Sequence, residues 1–569
     1  MRTFGVELFL FTSLVSSICN PAFAQQHHLP ASSEADLLIV NGNVLTGEGL
    51  YSGTPQRVSA FAIRDGLVMK TGDEKEILKL RGRKTEVIDL RGAFVMPGFN
   101  DAHLHLASGG FEKLNMDLVG VKSLEEMRQR IAARVKTAHA GEWISGRGWD
   151  HLTWNEQVLP TRQDLDLVTG DHPAIFTRVD GHIAVANSAA LKAAGITKDT
   201  AGPAGGKIDK DANGDPTGIL REGARDAVYD AIPKPTAARR REALQLALAE
   251  AARWGLTSLQ DNSSWDDFLV YEHLEREGKL TARITEWLPF DAPVDTLESW
   301  RAHHHPKDPM LHTGMLKGFM DGSLGSRTAA LLGPYTDDTK NSGLPQYDQA
   351  TLNRLARERA RAGFQLGFHA IGDRAVQMAL DAFDEALRDL GGDPKQKDRR
   401  FRVEHAQVVT PEEIERFARL GVIASMQPNH LLTDMNWAVD RVGPERAKYS
   451  YAWRAFLDAG VALAFGTDYP VEPLSPFRGL YAAVTRKNEE GTKEYFPGQR
   501  LTIDEAIAAY TQGAAYAEFA EKHKGKIAPG YLADFVVLDR NITEVSAPEI
   551  LQTRVLRTVV GGKTVYKSE

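Results

Sequence analysis

From Asp36 to about Leu90 the chain runs in short apolar stretches broken by turn signals. Leu37-Leu38-Ile39-Val40 precedes Asn41-Gly42. Val58 to Ile63 and Leu67-Val68-Met69 flank Asp65-Gly66, and Val87-Ile88-Asp89-Leu90 follows. Apolar runs of this length around Asn-Gly and Asp-Gly predict strands and tight hairpins. The far end has the same texture: Gly525-Lys526-Ile527, then Gly530 to Asp539, then a closing hairpin of Val555 to Val560, Gly561-Gly562 and Thr564-Val565-Tyr566. Residues 37–96 and 525–567 therefore predict one small β-sandwich assembled from both chain ends.

Between these ends the period changes. Leu124 to Ala138 and Ala237 to Trp254 carry apolar residues at helical spacing, and Ser123 with Glu126 reads as a capping box. Leu256 to Leu259, Gly314 to Met320, Phe364 to Phe368, Phe401 to Val403, Val422 to Met426 and Val461 to Phe465 read as short buried strands. Helical stretches, among them Gln349 to Ala362, Arg374 to Leu390 and Pro411 to Leu420, separate several of them. Alternation over this length predicts the α/β class and, most simply, a (β/α)8 TIM-like barrel over residues 97–524. Residues 140–235 are rich in Gly, Pro and Asp and read as an insertion over one end. It carries Trp143, Trp149, Trp154 and Phe176; Trp149 and Trp154 either line an apolar pocket there or pack in a core.

At 569 residues the chain exceeds one ordinary core, which fits a large domain with a smaller one. A net charge of -8 gives no electrostatic case for nucleic acid or an anionic membrane. Arg2, the apolar stretch Leu8 to Ile18 and Ala22-Phe23-Ala24 read as an export signal over residues 1–24; the alternative is a cytosolic protein with an apolar tail. The expected location is periplasmic or secreted. The only cysteine, Cys19, lies within that signal, so the mature chain would have no disulfide, cysteine nucleophile or thiolate ligand. No later run is long and apolar enough for stable membrane insertion.

The candidate chemistry begins at His103-Leu104-His105, a few residues beyond Pro97-Gly98. On a strand, residues two apart point the same way, so both imidazoles can aim at one metal ion. Barrel chemistry sits at the C-terminal ends of strands. Lys317 follows the apolar pair Met315-Leu316, and His369, His405 and Asp468 each lie at or just after the end of a predicted strand. Each alone has an ordinary account as a solvated lysine, a core histidine or a turn residue; their joint placement behind His103 and His105 points to a shared site. His303-His304-His305 is a further cluster, in a polar stretch that reads as solvated.

These residues resemble the amidohydrolase superfamily of metal-dependent hydrolases, in its YtcJ-like and N-substituted formamide deformylase-like branch. The likeness spans nearly all of residues 37–567. Its motifs are Lys317 to Ala329, His369-Ala370-Ile371-Gly372-Asp373, Arg402-Val403-Glu404-His405-Ala406-Gln407 and Gly466-Thr467-Asp468-Tyr469-Pro470. The resemblance implies one or two divalent ions, with zinc suiting His and carboxylate ligands best and iron or manganese as alternatives. His103, His105 and Asp468 would hold one ion and His369 and His405 the other. Lys317 would bridge them as a carbamate, since an ammonium has no lone pair. Asp468 would act as general base and then acid. His182, Arg327 and Asp321 are candidate substrate-binding residues.

The implied activity is hydrolysis of a non-peptide amide bond in a small molecule by metal-activated water. A cyclic amide, ester or lactone hydrolase, or a catalytically silent binding or regulatory protein, are the alternatives. The sequence leaves the oligomeric state open, a homo-oligomer included.

Overall fold

A computed structural model describes residues 34–179, 183–203, 206–306, 308–393 and 398–569. The expected signal at residues 1–24 and the candidate His182 lie outside the described residues.

At its centre is an eight-stranded parallel sheet rolled into a nearly closed barrel. In order around it run Phe99–Leu104, Leu256–Asp261, Arg283–Pro289, Leu311–Phe319, Leu366–Ala370, Arg402–His405, Ile423–Met426 and Leu463–Phe465. The strands are buried almost throughout because helices cover the outside, which is why they read as apolar runs without alternation. The third strand, Arg-Ile-Thr-Glu-Trp-Leu-Pro, is not apparent in the sequence. Two of its polar residues are buried with partners: Arg283 pairs with Asp534 at 2.6 Å, and Thr285 donates to Glu518.

The first and eighth strands meet through a few discrete bonds. Asp468 N–H donates to His103 C=O at 2.7 Å, and His105 N–H to Tyr469 C=O at 2.7 Å. The buried Asp101 carboxylate accepts from His103 N–H, Thr467 N–H and Thr467 Oγ1. This stitch draws Asp468 onto the same rim as the two histidines.

Two further sheets come from the chain ends. One orders Leu67–Gly72, Ala60–Arg64, Ala35–Val40 and Arg81–Asp89. The other orders Lys563–Lys567, Val555–Val560, Phe535–Leu538, Phe94–Pro97, Asn43–Leu45 and Arg57–Val58, with Val536 opposite Met96. A shared apolar cluster joins them: Ile39 and Phe61 from the first, Val95, Phe535 and Val537 from the second.

The inserted region is itself a six-stranded sheet. It starts earlier than the expected residue 140, at Met116–Asp117, and ends at Pro216–Glu222. Trp149 and Trp154 are buried in its own core, their indole N–H groups donating to Phe176 C=O at 2.8 Å and Val121 C=O at 3.0 Å. They are core residues. Among the described residues no helix is long and apolar enough to cross a membrane.

Candidate metal centre

His103 is the penultimate residue of the first barrel strand and His105 the residue just beyond it. The imidazoles converge. His105 Nε2 lies 3.2 Å and His103 Nε2 3.5 Å from Asp468 Oδ1. Each ring is held from behind by its other nitrogen. His103 Nδ1–H donates to Glu404 at 2.7 Å, and His105 Nδ1–H to Asn262 C=O at 3.1 Å. A carboxylate and a carbonyl can only accept, so both rings take the tautomer with a bare Nε2 facing Asp468. This is how metal-ligating histidines are supported.

Glu404 is fully buried and is held by Arg402 Nε at 2.8 Å, while Arg402 Nη2 reaches Ala102 C=O and Ser425 Oγ, both at 2.8 Å. A buried ion pair thus backs the first histidine.

Asp468 Oδ2 faces the other side. His430 Nε2 is 3.0 Å away and His405 Nδ1 4.0 Å. Two groups of convergent ligand atoms result, His103–His105–Asp468 and His405–His430–Asp468. Burial alone would raise the Asp468 carboxyl, but the hydrogen bond from His430 outweighs this and holds it well below the usual range. Burial, with Lys317 beside it, lowers His103 well below the usual imidazole range; burial, with His369 next to it, does the same to His405. Both are neutral at pH 7, the form that offers a lone pair. For His430, burial acts downward, but the Asp468 carboxylate dominates and raises it to about 9. Its contact with Asp468 is a charge-assisted hydrogen bond.

Lys317, near the end of the fourth strand, places Nζ 3.1 Å from His103 Nε2. It is 3% exposed, and burial lowers its ammonium to about 8 against the opposing pull of Glu404 and Asp468. The rings of Trp287 and Phe319 stand 5.1 and 5.0 Å from Nζ. These two aromatics, not the insertion's tryptophans, form the apolar wall of the site.

His369 is brought close but lies outside both convergent groups. Its ring centroid is 4.5 Å from that of His405, and its Nε2–H donates to Gly322 C=O at 3.0 Å. Burial lowers it to about 4, so it too is neutral. Asp321, 3.4 Å behind that nitrogen, accepts from the N–H groups of Ala330, Ile371 and Gly372. Asp321 thereby fixes the loop after His369. Arg327 pairs with Asp337 at 3.0 Å.

The backbone is strained at the site. His405 and Asp468 have φ of 74° and 58°. Each such residue costs about 1 kcal/mol or more, and outliers of this kind cluster at functional sites.

The donor set fits a divalent ion: neutral imidazoles with bare nitrogens around an ionised carboxylate, with Asp468 Oδ1 and His405 Nδ1 buried and making no hydrogen bond among the described residues. His430 and the backing role of Glu404 are absent from the sequence reading. His430 follows the seventh strand at Gln427-Pro428-Asn429-His430, so the strand-end rule that found His405 also reaches it.

Comparison with known proteins identifies the family. Residues 86–566 match the model of the amidohydrolase family. The chain belongs to that family. It is 35% identical to YtcJ of Bacillus subtilis (strain 168), which carries an amidohydrolase name, over 90% of this chain and 96% of that one. It is 28% identical to the N-substituted formamide deformylase of Arthrobacter pascens, over 94% and 98%. The crystal structure of an uncharacterized metal-dependent hydrolase from Pyrococcus horikoshii OT3 superposes with a TM-score of 0.75 at 31% identity, covering 90% of this chain and 99% of that one. This amidohydrolase is thus a hydrolase of carbon–nitrogen bonds on a barrel whose rim gathers His and Asp groups suited to a metal ion.

Proposed function

We propose that the chain hydrolyses a non-peptide amide bond of a small molecule with a divalent ion, Zn2+ by preference, at the barrel rim. The observation that carries this reading is the convergence of the bare Nε2 atoms of His103 and His105 on Asp468 Oδ1. His103, His105 and Asp468 would hold one ion, and His369 and His405 a second. When bound, the metal supplies Lewis-acid activation of water and polarisation of the scissile carbonyl.

The chain's own residues do the rest. Asp468 Oδ1, free of hydrogen bonds among the described residues, takes the proton of the attacking water and returns it to the leaving nitrogen. His430 holds Oδ2 at 3.0 Å, so the carboxylate keeps one oxygen aimed at the reacting atoms. Lys317 is suited to carboxylation: with an ammonium lowered to about 8, about a tenth is neutral amine at pH 7, far more than for an ordinary lysine. Its Nζ lone pair would add to CO2 with loss of a proton, and the resulting carbamate would supply two oxygens that share one negative charge.

Small N-acyl and N-formyl amines are the proposed substrates. The relative named N-substituted formamide deformylase supports this, as does the partly apolar wall of Trp287 and Phe319. Export of the mature chain, and the two end-built sheets as a separate small β-sandwich, complete the reading. Chelation followed by readdition of Zn2+ or Mn2+, assayed on a series of N-formyl and N-acyl amines beside casein, tests it. Full activity of metal-free protein, or rapid casein digestion with no turnover of small amides, overturns it.

A further inference from the structure

We infer a second, separate metal site at the opposite end of the barrel, built from Glu275, His304 and Asp308 and suited to Zn2+. Glu275 lies in the last turn of helix Trp265–Arg276. His304 caps the C-terminal end of helix Val294–His303, and Asp308 leads into the fourth barrel strand, Leu311–Phe319. Leu311 is at the far end of that strand from Lys317, roughly 20 Å away at about 3.3 Å per residue. The two sites are therefore distinct.

His304 is the centre of the argument. Its Nδ1–H donates to Glu272 Oε1 at 2.9 Å, and the ring packs edge-on against Phe268 with centroids 5.8 Å apart. Glu272 can only accept, so it orients the ring and makes Nδ1 the protonated nitrogen, the carboxylate–histidine backing seen behind metal ligands. Its other oxygen takes His303 Nε2 at 3.2 Å, so Glu272 is an outer support. His304 Nε2 then points at two carboxylates. It is buried, has no hydrogen-bond partner among the described residues, and lies 3.7 Å from Glu275 Oε2 and 3.5 Å from Asp308 Oδ2.

A bare imidazole nitrogen facing two carboxylates is repulsive unless a cation lies between them. The spacing says which kind. N–H···O bonds in proteins run about 2.7–3.2 Å, and both contacts are longer. Ligand atoms on one tetrahedral ion, with bonds of about 2.0–2.1 Å, stand ~3.4 Å apart. Asp308 is preset for this role: its Oδ1 accepts from Met310 N–H at 2.8 Å, which leaves Oδ2 turned inward. The three side chains are 17 to 28% exposed, enough for water in a fourth position. One imidazole and two carboxylates form a borderline donor set that suits Zn2+. The ion would tie two barrel helices to the base of the strand that carries Lys317.

The test is metal counting on the full-length protein equilibrated with buffered Zn2+. Glu275→Gln and His304→Gln should each bind one Zn2+ fewer per chain than wild type, while amide turnover stays within about twofold. Circular dichroism confirms that both variants are folded. In wild type, saturation of this site should also raise the thermal midpoint by a step that both variants lack. Equal metal content in wild type and both variants would overturn the proposal and leave a protonated His304 paired with its acidic neighbours.

Discussion

The Glu404→Gln substitution separates the two tasks assigned to the buried carboxylate under the metal centre. The first is charge balance. Glu404 and Arg402 are 0% and 1% exposed and pair at 2.8 Å. Removing one partner of such a pair costs about 3–5 kcal/mol. Glutamine keeps an oxygen for Arg402 Nε, so the loss should fall at the lower end, ~3 kcal/mol. The second task is tautomer control. An amide N–H turned toward His103 Nδ1 favours the ring form protonated at Nε2, and that proton would occupy the lone pair 3.5 Å from Asp468 Oδ1. Loss of such an outer support lowers metal affinity or activity by about 10–100-fold. Urea unfolding of metal-stripped protein by tryptophan fluorescence reads the first effect; calorimetric Zn2+ titration at the barrel rim reads the second. A variant with wild-type unfolding midpoint and wild-type Zn2+ affinity would refute both halves of the reasoning.

Lys317→Ala should lose metal and turnover together, and Lys317→Glu should recover part of both by supplying a carboxylate; metal analysis beside an amide assay decides it. Asp468→Asn should keep the fold and much of the metal while turnover falls about 10²–10⁴-fold, the usual worth of general acid–base help; a near-normal rate would place the base elsewhere. His430→Ala should lower kcat about 10–100-fold with metal content largely kept, because hydrogen bonds to charged groups are worth about 1.5–3 kcal/mol; unchanged kcat would leave His430 without a role. Glu413 is raised to about 8 by burial, so folding favours its protonated form. Its stabilising effect is complete below the unfolded pKa near 4.5 and is lost as pH rises through about 8. Glu413→Gln should therefore be more stable than wild type at pH 8.5 and similar at pH 4, as seen in thermal melts at the two pH values.

The barrel and its rim could be read from the chain because the signals were local. Buried parallel strands appear as short apolar runs, and His103, His105, Lys317, His369, His405 and Asp468 each lie at or just beyond such a run. The third strand escaped because two of its polar side chains are satisfied by residues more than 200 positions away: Arg283 by Asp534 and Thr285 by Glu518. A one-dimensional pattern cannot show such partners. Glu404 lay within a recognised motif, but its contact with His103 spans 301 positions. The insertion's tryptophans were ambiguous for a related reason: an apolar ring has the same sequence signature whether it meets a ligand or, like Trp149, its own core. Asp321 read equally as a pocket-shaping residue and as part of a turn, and its carboxylate collects three backbone N–H groups.

The sheet built from both chain ends has a kinetic meaning. Phe94–Pro97 pairs with Asn43–Leu45 on one edge, but its other partner, Phe535–Leu538, emerges from the ribosome more than 400 residues later. At about 5–20 residues per second that is a wait of tens of seconds with an open apolar edge. Unpaired edges of this kind template aggregation. Loss of the last 35 residues would remove Phe535–Leu538 and the two strands beyond it, and such a chain would remain permanently in that exposed state. Productive folding of this enzyme is thus tied to completed synthesis, and nascent chains are the species that chaperones would have to shield.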